Sequence, residues 1–406
     1  MKIKEFAQVI NGSTPSSKNP QYYDGDIVWF TPKDLATQNK KYVSVSERTI
    51  SEKGYKSCST SMLPPGSVLM SSRAPIGLLA ITTVPCCTNQ GFKSFILDTE
   101  KCNPEYLYYY LKYHIKEIES LGSGTTFKEV SKPSIEEYEV DLPSLEKQKK
   151  TIEILSIIDS KIQNNNKQIQ TLESLAKTIY DYWFVQFDFP NEDGKPYKSS
   201  GGKMVWNEEL KREIPEGWKY TFIGSITNCY DSKRVPLSSK QRGAKKGEFP
   251  YYGATCVMDY VNEFIFDGDY VLMAEDGSIM KGDNTPILQR ITGKTWVNNH
   301  AHILEPKKGY SCAVLMQLLK DIYVPSLKTG SIQAKITQEK MNSIKIIDIP
   351  SDLLYEINKQ LLPLDSKVLH LQNEISVLNK LKGFILPLLM NGQVRISNTS
   401  IDTTTK

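Results

Sequence analysis

Chemistry needs particular residue types at particular spacings, and several short stretches of this chain come close. Asn103-Pro104-Glu105-Tyr106 approaches the Asn-Pro-Pro-aromatic motif of amino-methyltransferases, but Glu105 replaces the second proline. No apolar strand leads into it and no FxGxG cofactor loop accompanies it, so the stretch reads as an N-cap Asn with Pro at the first helical position. Gly293-Lys294-Thr295 imitates the end of a phosphate-binding loop, yet Leu288 stands where the first glycine belongs, and the reading is a turn before a strand. Glu209-Leu210-Lys211 supplies a nuclease-like ExK fragment without the preceding Pro-Asp. His300 and His302 alternate as they would on one strand face, and read as surface or nucleic-acid-facing residues rather than metal ligands. Seven cysteines, with Cys86-Cys87 adjacent and no CxxC, read as reduced thiols and not as a zinc cluster. The expectation is a chain with no catalytic site, metal or cofactor of its own.

Contact with a polyanion is the chemistry that remains. The net charge of +4, with a pI near 8.4, permits such a partner without demanding one. Residues 231–248 gather Lys233, Arg234, Lys240, Arg242, Lys245 and Lys246, either as a phosphate clamp or as a solvated loop. Arg73 follows the apolar run at 66–70; it could read guanine in the major groove or serve a structural salt bridge. The amide pairs Asn89-Gln90 and Asn298-Asn299 could read adenine or build a shared turn. Two glycine-rich loops, 122–128 and 328–335, end in Lys128 and Lys335 and suit a phosphate oxygen, with a plain surface loop as the alternative. Tyr106, Tyr109, Tyr110 and Tyr113 fall on one helical face and read as core, not as base-stacking platforms.

The elements that must position these residues are written twice. "IDSKI" at 158–162 returns as "LDSKV" at 364–368, which places Asp159 and Asp365 206 residues apart. The surrounding Leu155, Ile158, Ile162, Ile169, Leu172, Ala176 and Ile179 follow a 3-4 spacing. At the same offset stand Leu361, Leu364, Val368, Ile375, Leu378, Lys382 and Ile385, of which Lys382 alone is polar. Both read as long amphipathic helices with a coiled-coil seam, each beginning after a proline, in "VDLPS" (140–144) and "IDIPS" (347–351). Upstream, "GSVLM" (66–70) parallels "YVLM" (270–273), and "TNQGF" (88–92) parallels "VNNHA" (297–301). Helix candidates follow at 104–119 and about 310–323, then the two glycine-rich loops. One unit, a mixed β-rich globule and then a long helix, is therefore duplicated.

Between the copies, 188–217 mixes proline, glycine and alternating charges without helical or strand periodicity, and reads as a connector. Residues 391–406 read as a disordered polar tail. The organisation expected is a globule at 1–142, a helix at 143–187, the connector, a second globule at 218–349 and a second helix at 350–390. The fold class is α+β with an internal pseudo-two-fold repeat and two long antiparallel helices. With no run of eighteen apolar residues and no signal peptide, the chain is expected to be soluble and cytoplasmic.

Across nearly its whole length the sequence resembles the specificity subunits of type I restriction–modification systems. The resemblance is carried by "AKTIYDYWFVQFDFP" (176–190), by "GKPYKSSGGKMVWNEELKREIPEGW" (194–218) and by the order globule, helix, globule, helix. It implies two target recognition domains that select a bipartite DNA sequence for adenine methylation. It also implies two methyltransferase subunits as partners and, in a restricting complex, two motor-nuclease subunits. S-adenosylmethionine, ATP and magnesium would then bind those partners and not this chain. Two other readings are a stand-alone DNA-binding scaffold or regulator without a methyltransferase, and a self-sufficient methyltransferase–nuclease, which would need the cofactor and catalytic motifs that are missing here. On heptad arithmetic Asp159, Lys161, Asp365 and Lys367 occupy e and g positions, where an antiparallel pair would set like charges opposite one another. They are therefore expected to turn away from the seam, towards the methyltransferase subunits.

Overall fold

The computed structural model describes residues 1–73, 75–124, 128–330 and 334–393. Four helices matter most: α1 (Pro104–Tyr113), α2 (Leu145–Tyr180), α3 (Cys312–Lys320) and α4 (Ser351–Met390). The chain divides into two compact units, Met1–Asn164 with Ile375–Lys406, and Asn165–Glu374. The division falls within α2 and α4, so each unit holds one globule and half of each long helix.

In the first unit, β1 (Ala7–Asn11), β2 (Val68–Ser72), β3 (Ile76–Thr82) and β4 (Phe92–Leu97) form a sheet in the order β1-β4-β2-β3, extended by the short strand Tyr42–Val43. All five residues of β2 are buried, as a central strand covered on both faces requires. Phe95 of β4 stands between Val9 and Val68, and Val68 in turn faces Ile81. The core over this sheet joins Tyr106, Leu107 and Tyr110 of α1 to Ile152 and Leu155 of α2 and to Leu389 and Met390 of α4. Early α2 thus packs with late α4, so the two halves run antiparallel.

In the second unit, β5 (Thr227–Cys229), β6 (Phe266–Ala274), β7 (Leu288–Val297) and β8 (Ala301–Pro306) follow the order β5-β8-β6-β7. The strands Lys246–Tyr252 and Val257–Val261 extend it beyond β7. The register is that of the first unit: Leu304 stands between Cys229 and Val271, and Val271 faces Arg290. Val314, Leu315, Leu318 and Leu319 of α3 share a core with Tyr180 of α2 and with Leu354, Ile357 and Leu361 of α4, again antiparallel.

α2 lacks proline and glycine throughout, whereas α4 runs through Pro363, Gly383 and Pro387. An interior proline costs a helix about 3 kcal/mol. The burial of Leu354, Ile357, Leu361, Val368 and Leu371 is what keeps α4 helical across it.

The connector at 188–217 is ordered and holds paired strands that no periodicity in its sequence marks. Met204–Asn207 and Arg212–Pro215 pair as an antiparallel hairpin, and the first long helix ends at Tyr180 in a single π-type turn, Asp181–Val185. The reason is aromatic. Phe184, Phe187 and Phe189 are buried, and Phe189 stacks between Trp218 (5.0 Å) and Tyr197 (4.8 Å), which fastens the segment to the second core. Gly293-Lys294-Thr295 likewise lies inside β7 and is no turn; Gly293 pairs with Gly268 across the ladder. Asn103 and Pro104 do cap α1 as expected, with the Asn103 side chain accepting from Glu105 N, and Tyr106, Tyr109 and Tyr110 are core. Residues 394–406 of the expected tail lie outside the described residues, and among those described no helix is long and apolar enough to cross a membrane. All seven cysteines are free.

Candidate nucleic-acid interface

The two amide pairs show how strand ends place candidate readers. In the first unit Asn89 Oδ1 accepts from Gly91 N (2.9 Å), and Asn89 N donates to Phe30 O (3.0 Å). In the second, Asn298 Oδ1 accepts from His300 N (2.8 Å), and Asn298 N donates to Tyr252 O (3.0 Å). Asn89 and Asn298 are therefore turn anchors, of which Asn298 is fully enclosed. Their neighbours Gln90 and Asn299 are exposed at the same corner of each repeat. Close packing also fixes the first corner, because a Cβ on Gly12 would meet Asn89 O at 2.0 Å.

The glycine-rich loops are tied down in matching register. Val130 N donates to Ser72 O (3.0 Å), and Ile336 N to Glu275 O (2.8 Å). The charges around these ties are reversed. In the first unit Glu129 accepts from Lys93 (3.1 Å), with Arg73 Nη1 at 3.7 Å. In the second, Lys335 binds Glu275 (2.9 Å). Arg73 is thus partly exposed beside a carboxylate, while Lys128 is exposed and Lys335 half-exposed. Residues 125–127 and 331–333 of the loops, like Ala74 beside Arg73, lie outside the described residues.

The basic stretch at 231–248 separates into two kinds of residue. Lys233 and Lys240 are exposed, Lys233 above the Tyr230 ring. Lys245 pairs with Glu263 (2.5 Å) and Lys246 with Asp259 (2.6 Å), surface bridges that a phosphate can displace at little cost. Arg242 is largely covered, donating to Leu237 O (2.6 Å) beside Asp259. Arg234, expected in a phosphate clamp, is instead internal. Its guanidinium binds Glu275, Asp231 (3.4 Å) and Ala301 O (2.8 Å), because two buried carboxylates need a cation there.

His302 corrects the surface reading in the same way. It is fully buried, with Nδ1 on Asp231 (2.5 Å) and Nε2 on Ile336 O (2.9 Å), whereas His300 is exposed and meets Asp276 (2.5 Å). Cys229, Asp231 and His302 bring their ligand atoms within 4.8 Å of one another. Burial pushes the Cys229 thiol up to about 12, the opposite of what a nucleophile needs. Burial also raises the carboxyls of Asp231 and Glu275, but His302 on the first, and Lys335 and Arg234 on the second, bring both below their ordinary values. The cluster is an internal charge lock behind the second loop. Sequence reasoning missed Lys93, Asp231 and Glu275, which no periodicity marks.

On the helices, two of the four residues expected to face partner subunits face inward. Asp159 accepts from Tyr109 and Lys382 within the first unit, and Asp365 from Arg290 (3.2 Å) within the second. The heptad argument placed helix against helix only; α1 and β7 add a third face that takes both aspartates. Lys161 and Lys367 are exposed.

Comparison with known proteins accounts for the duplication. A family model described as "Type I restriction modification DNA specificity domain" matches residues 1–174 and again 215–367. The MjaIX specificity subunit of a type I restriction enzyme from Methanocaldococcus jannaschii is 31% identical over 425 residues, covering 97% of this chain and 93% of that one. The EcoprrI specificity subunit from Escherichia coli is 21% identical over 86% of this chain and 83% of its own. The crystal structure of a type I restriction–modification S subunit from M. genitalium superposes with a TM-score of 0.55 at 16% identity, covering 96% and 95% of the two chains, a likeness of fold.

Proposed function

The chain belongs to the type I restriction–modification DNA specificity family, as a non-catalytic specificity subunit with two DNA-recognition domains, and we propose that each domain reads one half of a bipartite target. In this reading α2 and α4 dock two methyltransferase subunits and, in a restricting complex, two motor-nuclease subunits. Those partners bind S-adenosylmethionine and ATP with magnesium and carry out adenine methylation and cleavage.

The observation that carries the bipartite reading is the order and register that four strands of each sheet share beneath divergent exposed residues. Two equivalent platforms suit two half-sites, and different side chains on them suit different bases. Docking is supported by apolar residues left on the outer faces of the helices. Val377, Leu381 and Phe384 recur at helical spacing in the first unit, with Phe384 69% exposed, and Tyr355 and Leu362 stand out in the second.

The test is mapping of methylated adenines in cells that express this chain with its methyltransferase. Four residues inserted after Asn166, which spares the bond from Asn165 to Glu374 (2.8 Å), lengthen α2 by roughly 6 Å. The half-sites should stay unchanged and the spacer grow by about one or two base pairs at about 3.4 Å each. An active variant with its original spacer would remove the helices as the ruler. Lys233→Ala with Lys240→Ala should weaken binding to all sequences and flatten the salt dependence by about two units of slope. Arg73→Ala should relax one half-site only.

A further inference from the structure

Equivalent positions in the two units can be paired through their hydrogen bonds. Leu107 N donates to Asn103 O at the start of α1, and Leu315 N to Ser311 O at the start of α3. Tyr109 and Glu105 of α1 therefore correspond to Gln317 and Ala313 of α3. Along the long helices, Asp159 corresponds to Asp365 and Lys382 to Ala176.

In the first unit this place is full. Lys382 and Tyr109 both donate to Asp159, and the Lys382 ammonium lies 5.1 Å from the centre of the Tyr109 ring. Lys41 binds Glu105 (2.6 Å) and stands 4.0 Å from Asp159. Two ammonium groups balance two carboxylates, under cover of side chains.

In the second unit the three bulky residues are replaced by Ala176, Gln317 and Ala313, and a cavity of about 340 Å3 lies between them. Asp365 remains on its wall, bound to Arg290 (3.2 Å), but Arg290 also serves Asp269 (2.8 Å). Glu173 lines the same cavity. Lys320 reaches its rim through Gln317 Oε1 (3.2 Å). Asp365 and Glu173 thus line the cavity against a single lining cation, Arg290, which Asp269 shares. Burial holds the Asp365 carboxyl above its ordinary value although Arg290 pulls it down. Leu172, Leu288, Leu361, Leu364 and Met316 supply apolar wall that suits an alkyl arm, beside the amides of Gln289 and Gln372.

We infer that this cavity binds a primary alkylammonium group, entering where Lys382 sits in the first unit. The group is carried either by a free diamine or by a lysine of a docked subunit. Each unit would then hold the same salt bridge, one built in and one supplied from outside.

The test is calorimetric titration of the full chain with butane-1,4-diamine, with butan-1-ol as the uncharged control. One saturable site is expected for the diamine and none for the alcohol. Ala176→Lys, which rebuilds the first unit's arrangement, should weaken the diamine at least tenfold while melting no lower than the parent. Ala176→Met should block the site by volume alone, and Lys382→Ala should open a second diamine site in the first unit. Competition then identifies the source, an arm that rests on the proposed docking of a methyltransferase subunit. Diamine that inhibits assembly with that subunit points to a partner lysine; diamine bound without inhibition points to a free amine. No saturable binding, or binding indifferent to Ala176→Lys, overturns the inference whatever becomes of the docking reading.

Discussion

The seams of the two units share one apolar pattern and differ in the partners of their common aspartate. Leu155 and Leu361 are fully buried at equivalent positions, as are Leu107 and Leu315 on the short helices. The aspartate common to both seams nevertheless meets Lys382 and Tyr109 in one unit and Arg290 from the sheet in the other. A duplicated fold can keep its cores because apolar packing accepts any side chain of suitable volume. A buried charge accepts only a partner atom at one place, so each copy has found its own solution. One result is a filled site in the first unit and a cavity in the second.

Removing the partner of the second aspartate should separate the seams most sharply. Arg290→Met leaves Asp365 covered and uncompensated, a loss of about 3–5 kcal/mol. Hydrogen exchange should show it in residues 165–374, with protection in the first globule retained. Equal loss in both would mean that the seams are not independent. Asp159→Asn is the matching change in the first unit. Its loss is expected near 2 kcal/mol, because Asp159 is a quarter exposed and Tyr109 can still donate to the amide oxygen. Chemical denaturation of the two variants side by side checks that order.

Acid should act on the seams in opposite senses. Burial raises Glu105, but bonds from Lys41 and Tyr42 bring it below its ordinary value, so its stabilisation is present near neutrality and lost as pH falls through the depressed folded value. Asp365 is raised by burial, so its charge is a penalty at neutrality that is relieved as pH falls through the raised folded value. Exchange followed from pH 7 into the acid range should therefore show protection in the first unit falling relative to the second. The reverse order would mean that neither carboxylate governs its seam. The smallest effect concerns Pro363, which occupies the position of Ile157 and is exposed. Pro363→Ala should restore a helical hydrogen bond and stabilise the second unit by about 1 kcal/mol, less than the full helix preference because the unfolded chain gains freedom as well. A melting curve suffices to see it.

What the sequence by itself determined lies in its periodicities. The 3-4 spacing around Asp159 and Asp365, repeated at a constant offset, specified two long helices and a duplicated globule, since apolar period and burial are linked along a helix. Asn103 before Pro104 specified a helix start, because the cap is formed by residues adjacent in the chain. Lys382, the one polar residue in the repeated seam, was a visible signal whose meaning was hidden, because Tyr109 lies far away in sequence. Tertiary structure alone decided that Arg234 and His302 are buried in a charge lock, that Asn89 and Asn298 anchor turns while Gln90 and Asn299 stand exposed, and that the connector folds around Phe189. Each of these depends on which distant side chain arrives beside a charge, an amide or a ring. No local spacing carries that information, because a polar contact is decided by atoms that only folding brings within hydrogen-bond reach.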